Sequence, residues 1–109
     1  MERTEMNDRE LLEMAAKAAG YDGLRWSMLR QCFYDCSGVY WRPLDDDGDA
    51  LRLAVKLMIE VGRCFQETHI QCFSKRYLNC INEPVLEDPY AATRRAIVRA
   101  AAEIGRGMK

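Results

Sequence analysis

One histidine, His69, is all that this 109-residue chain contains, and the scarcity removes several chemistries together. A zinc site wants two close pairs of ligands or a comparable tetrad. Here Cys32-x-x-x-Cys36 is the one close cysteine pair, while Cys64, Cys72 and Cys80 are dispersed too evenly to pair locally. A cysteine or serine nucleophile needs a base beside it. His69 stands between Thr68 and Ile70 in a strand-like run, with no orienting carboxylate identified. A glycine-rich phosphate loop precedes its helix, whereas Gly105-x-Gly107 follows one. The expectation is a protein with no catalytic residue, no metal and no cofactor.

Excess charge of either sign is lacking too. Sixteen basic and seventeen acidic residues leave a net charge of -1, far from the basic surplus that drives generic nucleic-acid binding. No helix-turn-helix spacing offsets that deficit. No apolar run approaches the roughly 20 residues of a membrane span, and the start Met1-Glu2-Arg3 does not read as a secretory signal. These features predict a cytoplasmic chain with five reduced thiols and neither membrane nor nucleic acid as partner. Its length suits one domain over residues 1–109 with a single modest core.

Three helical patterns are present. Asn7-Asp8-Arg9-Glu10 reads as a capping box. Leu11, Leu12, Met14, Ala15, Ala18 and Ala19 then form an apolar face that Gly20 closes, giving a helix over Asp8–Ala19. Asp45-Asp46-Asp47-Gly48-Asp49 fails as a calcium loop, because its sixth position is Ala50 and its twelfth is Lys56. It suits instead the positive end of a helix dipole. The amphipathic run from Ala50 to Val61 puts Leu51, Ala54, Val55, Leu57, Met58 and Val61 on one side, and Gly62 ends it. The last helix starts at Asp88 as N-cap with Pro89 behind it. Tyr90, Ala91, Ala96, Ile97, Ala100, Ala101 and Ile104 make its buried stripe, with Gly105 and Gly107 as the stop.

Between the helices the period changes. Leu24 to Tyr34 suits a strand, Asp35-Cys36-Ser37-Gly38 a turn, and Val39-Tyr40-Trp41 a second strand. Cys64 to Thr68 reads as a third strand. Ile70 to Ile81 reads as a fourth, with Ser74-Lys75-Arg76 as a turn or edge. The order is α-β-β-α-β-β-α, an α+β chain whose sequential hairpins make an antiparallel sheet.

Three segments carry a resemblance. The run Trp41-Arg42-Pro43-Leu44-Asp45-Asp46-Asp47-Gly48-Asp49-Ala50-Leu51-Arg52-Leu53-Ala54-Val55-Lys56-Leu57 is similar to a W-x-P…D…A…V-x-K-L signature of small phage and prophage proteins with the phage ABA sandwich domain. Residues Asp88 to Ala101 resemble that family's C-terminal helix, and Leu11 to Tyr21 its first. The match covers about half the chain and hardly touches the strands. It implies a three-layer helix-sheet-helix sandwich and a phage-encoded protein in the host bacterial cytoplasm. Some phage proteins of comparable build sequester nucleotide immune signals, a looser analogy.

The last helix offers the candidate site. Backbone N–H groups from Tyr90 to Thr93 carry partial positive charge. Arg95 and Arg99 lie four apart on one face, with Arg94 beside them, and charge-assisted bonds to phosphate are each worth about 1.5–3 kcal/mol. Tyr90, Trp41 or Tyr40 would stack a base. The candidate ligand-binding residues are therefore Arg94, Arg95, Arg99, Tyr90 and Trp41. The expected ligand is a cyclic or ADP-ribose-type nucleotide held by a homo-oligomeric, non-enzymatic binding module. Two bland readings compete: Arg99 pairing with Glu103, or arginines facing the acidic run Asp45 to Asp49. The alternative function is a protein-interaction factor that binds a host or phage protein through an exposed sheet edge between Phe65 and Tyr77.

Overall fold

The last helix forms where its sequence predicts and becomes the centre of the packing. In the computed structural model, which describes residues 6–64, 66, 68–75 and 78–108, the chain runs α1 (Asp8–Ala19), β1 (Arg25–Ser27), β2 (Cys32–Tyr34), β3 (Tyr40–Trp41), α2 (Asp47–Lys56), β4 (Ile59–Cys64), β5 (His69–Ser74), β6 (Asn79–Pro84) and α3 (Pro89–Arg106). Asp88 Oδ1 caps α3, accepting from the backbone N–H groups of Tyr90 and Ala91 at 2.9 and 3.3 Å. Ala96, Ile97 and Val98, successive residues that point in three directions at steps of about 100°, are all buried. Helix α3 is thus enclosed on several sides.

One side meets α1. A Cβ at Gly105 would lie 2.0 Å from the Met14 carbonyl oxygen, so the two backbones touch there. Gly105 is therefore a contact residue inside α3, and Gly107 alone caps the helix. This corrects the reading of Gly105 as part of the stop. Another side meets β6, where Asn79 Nδ2 donates to the Ala100 carbonyl at 3.1 Å.

Both sheets are antiparallel and three-stranded, in orders β1-β2-β3 and β4-β5-β6. In the second, Val61, Cys72 and Ile81 lie side by side across the strands. Ile59, Ile70, Cys72 and Ser74 of that face are buried, while the alternate residues Glu60, Gln71, Cys80 and Asn82 are exposed. That alternation is what one covered and one solvated face require. In the first sheet Trp26 pairs with Phe33, their rings edge-on at 4.9 Å.

The α+β architecture with antiparallel pairing holds, and each half carries one strand more than the order read from sequence. The segment Leu24 to Tyr34 is a hairpin, not one strand. Helix α2 ends five residues before Val61. Met58 takes a left-handed φ of 57°, and Ile59 to Cys64 pairs with β5. The β-branched Ile59 and Val61 favour that strand, and pairing decides it. Described residues between Cys64 and His69 form the β4–β5 turn instead of a strand, with Gln66 at φ 57°. The edge expected between Phe65 and Tyr77 is displaced: β5 is the central strand, so the edges are β4 and β6. Phe65 and Tyr77 themselves lie outside the described residues. Among the described residues, no helix is long and apolar enough to cross a membrane.

Candidate functional site

The three arginines of α3 diverge. Arg94 donates to Asp47 at 2.7 Å and to the Leu44 carbonyl at 2.9 Å, on the loop and first turn of α2. Arg95 reaches the first turn of α1, pairing with Asp8 at 3.1 Å. Arg99 pairs with Glu83 of β6 and donates to the Asn82 carbonyl at 3.4 Å. Each guanidinium ties α3 to a different element. The Arg94–Asp47 pair is one of the bland readings, arginine against the acidic run. Glu103 pairs with Arg106, not Arg99.

The aromatics separate as well. Tyr90 is exposed at the start of α3. Trp41 is half-buried and packs edge-on against Tyr21 at 5.6 Å, and the Lys56 ammonium lies 4.9 Å from the centre of the Tyr21 ring. Of the five residues expected to form one site, Tyr90 and Arg94 line a common concavity.

That concavity is a groove of about 440 Å³ between α2, β4 and α3. Ala50, Ala54, Ile59 and Ile97 lie along it, and Leu51, Val55, Val61 and Tyr90 stand around it. The last four are 63%, 70%, 44% and 70% exposed, large apolar side chains left in water beside a hollow. Polar groups enter from Thr93 and from the Arg94–Asp47 pair. Among the described residues no group of three or more histidine, cysteine or carboxylate side chains is arranged to hold a metal ion.

Sequence reasoning placed Leu51, Val55 and Val61 in the core. Of the side read from sequence, Ala54 and Leu57 are buried, and Ala50 and Leu53 join them in the core, while Leu51, Val55, Met58 and Val61 stay exposed. Helix α2 thus carries two apolar stripes where burial needs one. That surplus was the available signal, because spacing alone cannot say which stripe faces inward. Arg52 and Lys56 mark the polar remainder of the helix.

Compared with protein-family models, curated proteins and solved structures, the chain gives no significant match. The likeness to phage ABA sandwich proteins rests on the three segments quoted above.

Proposed function

We propose that this protein is a non-catalytic docking module whose working surface is the apolar groove between α2, β4 and α3. The carrying observation is the set of large apolar side chains left exposed around one hollow, Leu51, Val55, Val61 and Tyr90. Contiguous exposed apolar patches on soluble domains mark interaction sites, because water is released when a partner covers them. The arginines support this reading from the other side. A phosphate would have to compete with Asp47, Asp8 and Glu83 for guanidinium groups that already tie α3 to α2, α1 and β6. If the phage likeness is taken with it, the partner is a phage or host protein met during infection.

The test places a photo-crosslinking phenylalanine analogue at position 90 of the full chain in cells, with a second probe at exposed Val39 as control. Discrete protein adducts from position 90, absent from position 39 and lost with Val55→Glu, are the expected result. No adduct from position 90 would sink the docking reading. A thermal-shift panel of cyclic and ADP-ribose-type nucleotides runs beside it. A stabilising shift abolished by Arg95→Ala with Arg99→Ala would put nucleotide sequestration in its place.

A further inference from the structure

We infer that the outer face of the first sheet binds single-stranded nucleic acid, with Arg25, Arg30 and Arg42 on its phosphates and Tyr40 under a base. No residue lining the groove belongs to this sheet, so the inference stands apart from the docking reading. Strand register sorts the sheet's side chains. Trp26, Phe33 and Trp41 form one row across the three strands, and that row packs on the core. The next row is Arg25, Tyr34 and Tyr40, and adjacent rows of a pleated sheet point to opposite faces. The Tyr34 and Tyr40 rings meet edge-on at 6.3 Å. Arg30 reaches back from the β1–β2 turn to lie 5.5 Å over the Tyr40 ring. Arg42 comes two residues after Tyr40 and is biased to extended backbone by the following Pro43, so it continues the same face. Cys32 lies on that side of β2, two residues before Tyr34. Burial raises its thiol, and Arg42 and Arg30 both pull it down, which places their charges near that residue.

Charge on this face differs from the rest of the molecule. Arg9, Arg52, Arg94, Arg95, Arg99 and Arg106 each hold a carboxylate. Among the described residues Arg25, Arg30 and Arg42 hold none, and all three are exposed. Two carboxylates stand at the border. Asp35 is taken up by its own turn, accepting from the N–H groups of Ser37 and Val39 at 2.9 and 3.0 Å. Asp45 acts on the Cys32 thiol against the two arginines. Three cations against two carboxylates leave the face positive. The net charge of -1 averages it with the acidic first turns of α1 and α2. Such a face suits a polyanion, and the tyrosines choose among polyanions. Tyr40 is 42% exposed, and a base has a flat face to lay on its ring, which acidic peptides and lipid headgroups lack. The base takes the place of the Arg30 guanidinium, which turns to the adjoining phosphate. Only an unpaired, splayed base can stack in this way, so the strand is single.

Fluorescence anisotropy of the full chain with a labelled oligothymidylate of about ten nucleotides tests this, a length within the range that one single-strand-binding domain covers. Binding at low salt is expected, with log K falling against log salt at a slope of about -2, since each phosphate neutralised contributes about -0.7. Arg25→Ala and Arg30→Ala should each flatten that slope by about 0.7. Tyr40→Ala should weaken binding at least about fivefold, the lower end of a base–aromatic stack, while Tyr40→Phe keeps the ring and should bind as the wild type does. Should Tyr40→Ala lose its fold, the two arginine variants, at exposed positions, still decide. No binding at low salt overturns the inference. So does a slope that the arginine variants leave unchanged. Equal binding of a duplex would overturn stacking in favour of bare charge attraction. Capture by phosphatidylserine vesicles without oligonucleotide binding would give the face to a membrane surface, entered by Met28 and Leu29, 74% and 89% exposed at the tip of the same hairpin.

Discussion

Cys72 and Cys80 are eight residues apart, yet they occupy opposite faces of one sheet and differ in chemistry. Cys72 lies beneath α3 with no exposure. Burial, which penalises the thiolate, pushes its thiol up to about 12 from 9.0, with the neighbouring Cys80 adding to the effect. Burial raises Cys32 as well, against the opposing pull of Arg42. A thiol raised in the folded state binds its proton more tightly there than in the unfolded chain. Its contribution to stability is therefore whole below the unfolded value near 9 and declines as pH rises towards 12. A thiol-reactive probe near neutral pH should label the exposed Cys36 and Cys80 at once, and Cys32 and Cys72 only after denaturant is added. Mass spectrometry of the native protein checks this. Fast native labelling of Cys72 would mean that α3 does not cover its face of the sheet. The dispersed cysteine spacing did suggest separate, reduced thiols. It could not say which were buried, because that depends on strand phase.

At the scale of elements, boundaries are governed by four left-handed residues that are not glycine among the described residues: Gln31, Met58, Gln66 and Leu78, with φ between 54° and 57°. Three sit in hairpin turns and one joins α2 to β4. The Ser27–Cys32 and Ser74–Asn79 hairpins share a construction, in which the N–H of the left-handed residue donates back to the serine carbonyl, at 2.8 Å from Gln31 and 2.7 Å from Leu78. An L-residue in that region costs about 1–2 kcal/mol relative to its preferred backbone. Leu78 is 79% exposed and has little packing to lose. Leu78→Gly should raise stability by about 1 kcal/mol, seen as a melting increase of several degrees in a domain this size. A fall would show that the leucine side chain serves a contact of its own. The same four residues explain which boundaries were legible. Gly20, left-handed at φ 78°, announced the end of α1. Gln31, Met58 and Gln66 announce nothing, so a hairpin read as one strand and α2 read five residues too long.

For the whole molecule, the decisive contact is α1 against α3. The Cβ that alanine would add at Gly105 falls 2.0 Å from the Met14 oxygen and 2.8 Å from its carbonyl carbon. Backbone cannot yield as a flexible side chain does, so the helices must separate. Overpacking of this kind costs about 1–3 kcal/mol and sometimes more. Gly105→Ala should therefore lower the melting temperature sharply. Gly107→Ala, whose Cβ would meet the Ile104 oxygen at an ordinary 3.6 Å, should change it little. Calorimetry of the two variants makes the comparison. Equal effects would place the cost in helix capping instead of helix contact. Arg94, Arg95 and Arg99 work at this scale too, each fastening α3 to a separate element.

The sequence by itself determined the caps and the central helix, since Asn7 with Glu10, Asp46 with Asp49, and Asp88 with Pro89 act within a turn of where they stand. It also settled the α+β class, through helical periods alternating with extended runs. Tertiary structure decided which stripe of α2 faces inward and where the arginines end. A stripe is buried only if a neighbour arrives to cover it, and a guanidinium finds its carboxylate only when distant elements meet. The groove of Leu51, Val55, Val61 and Tyr90 comes from three separate segments, and no local pattern could assemble it.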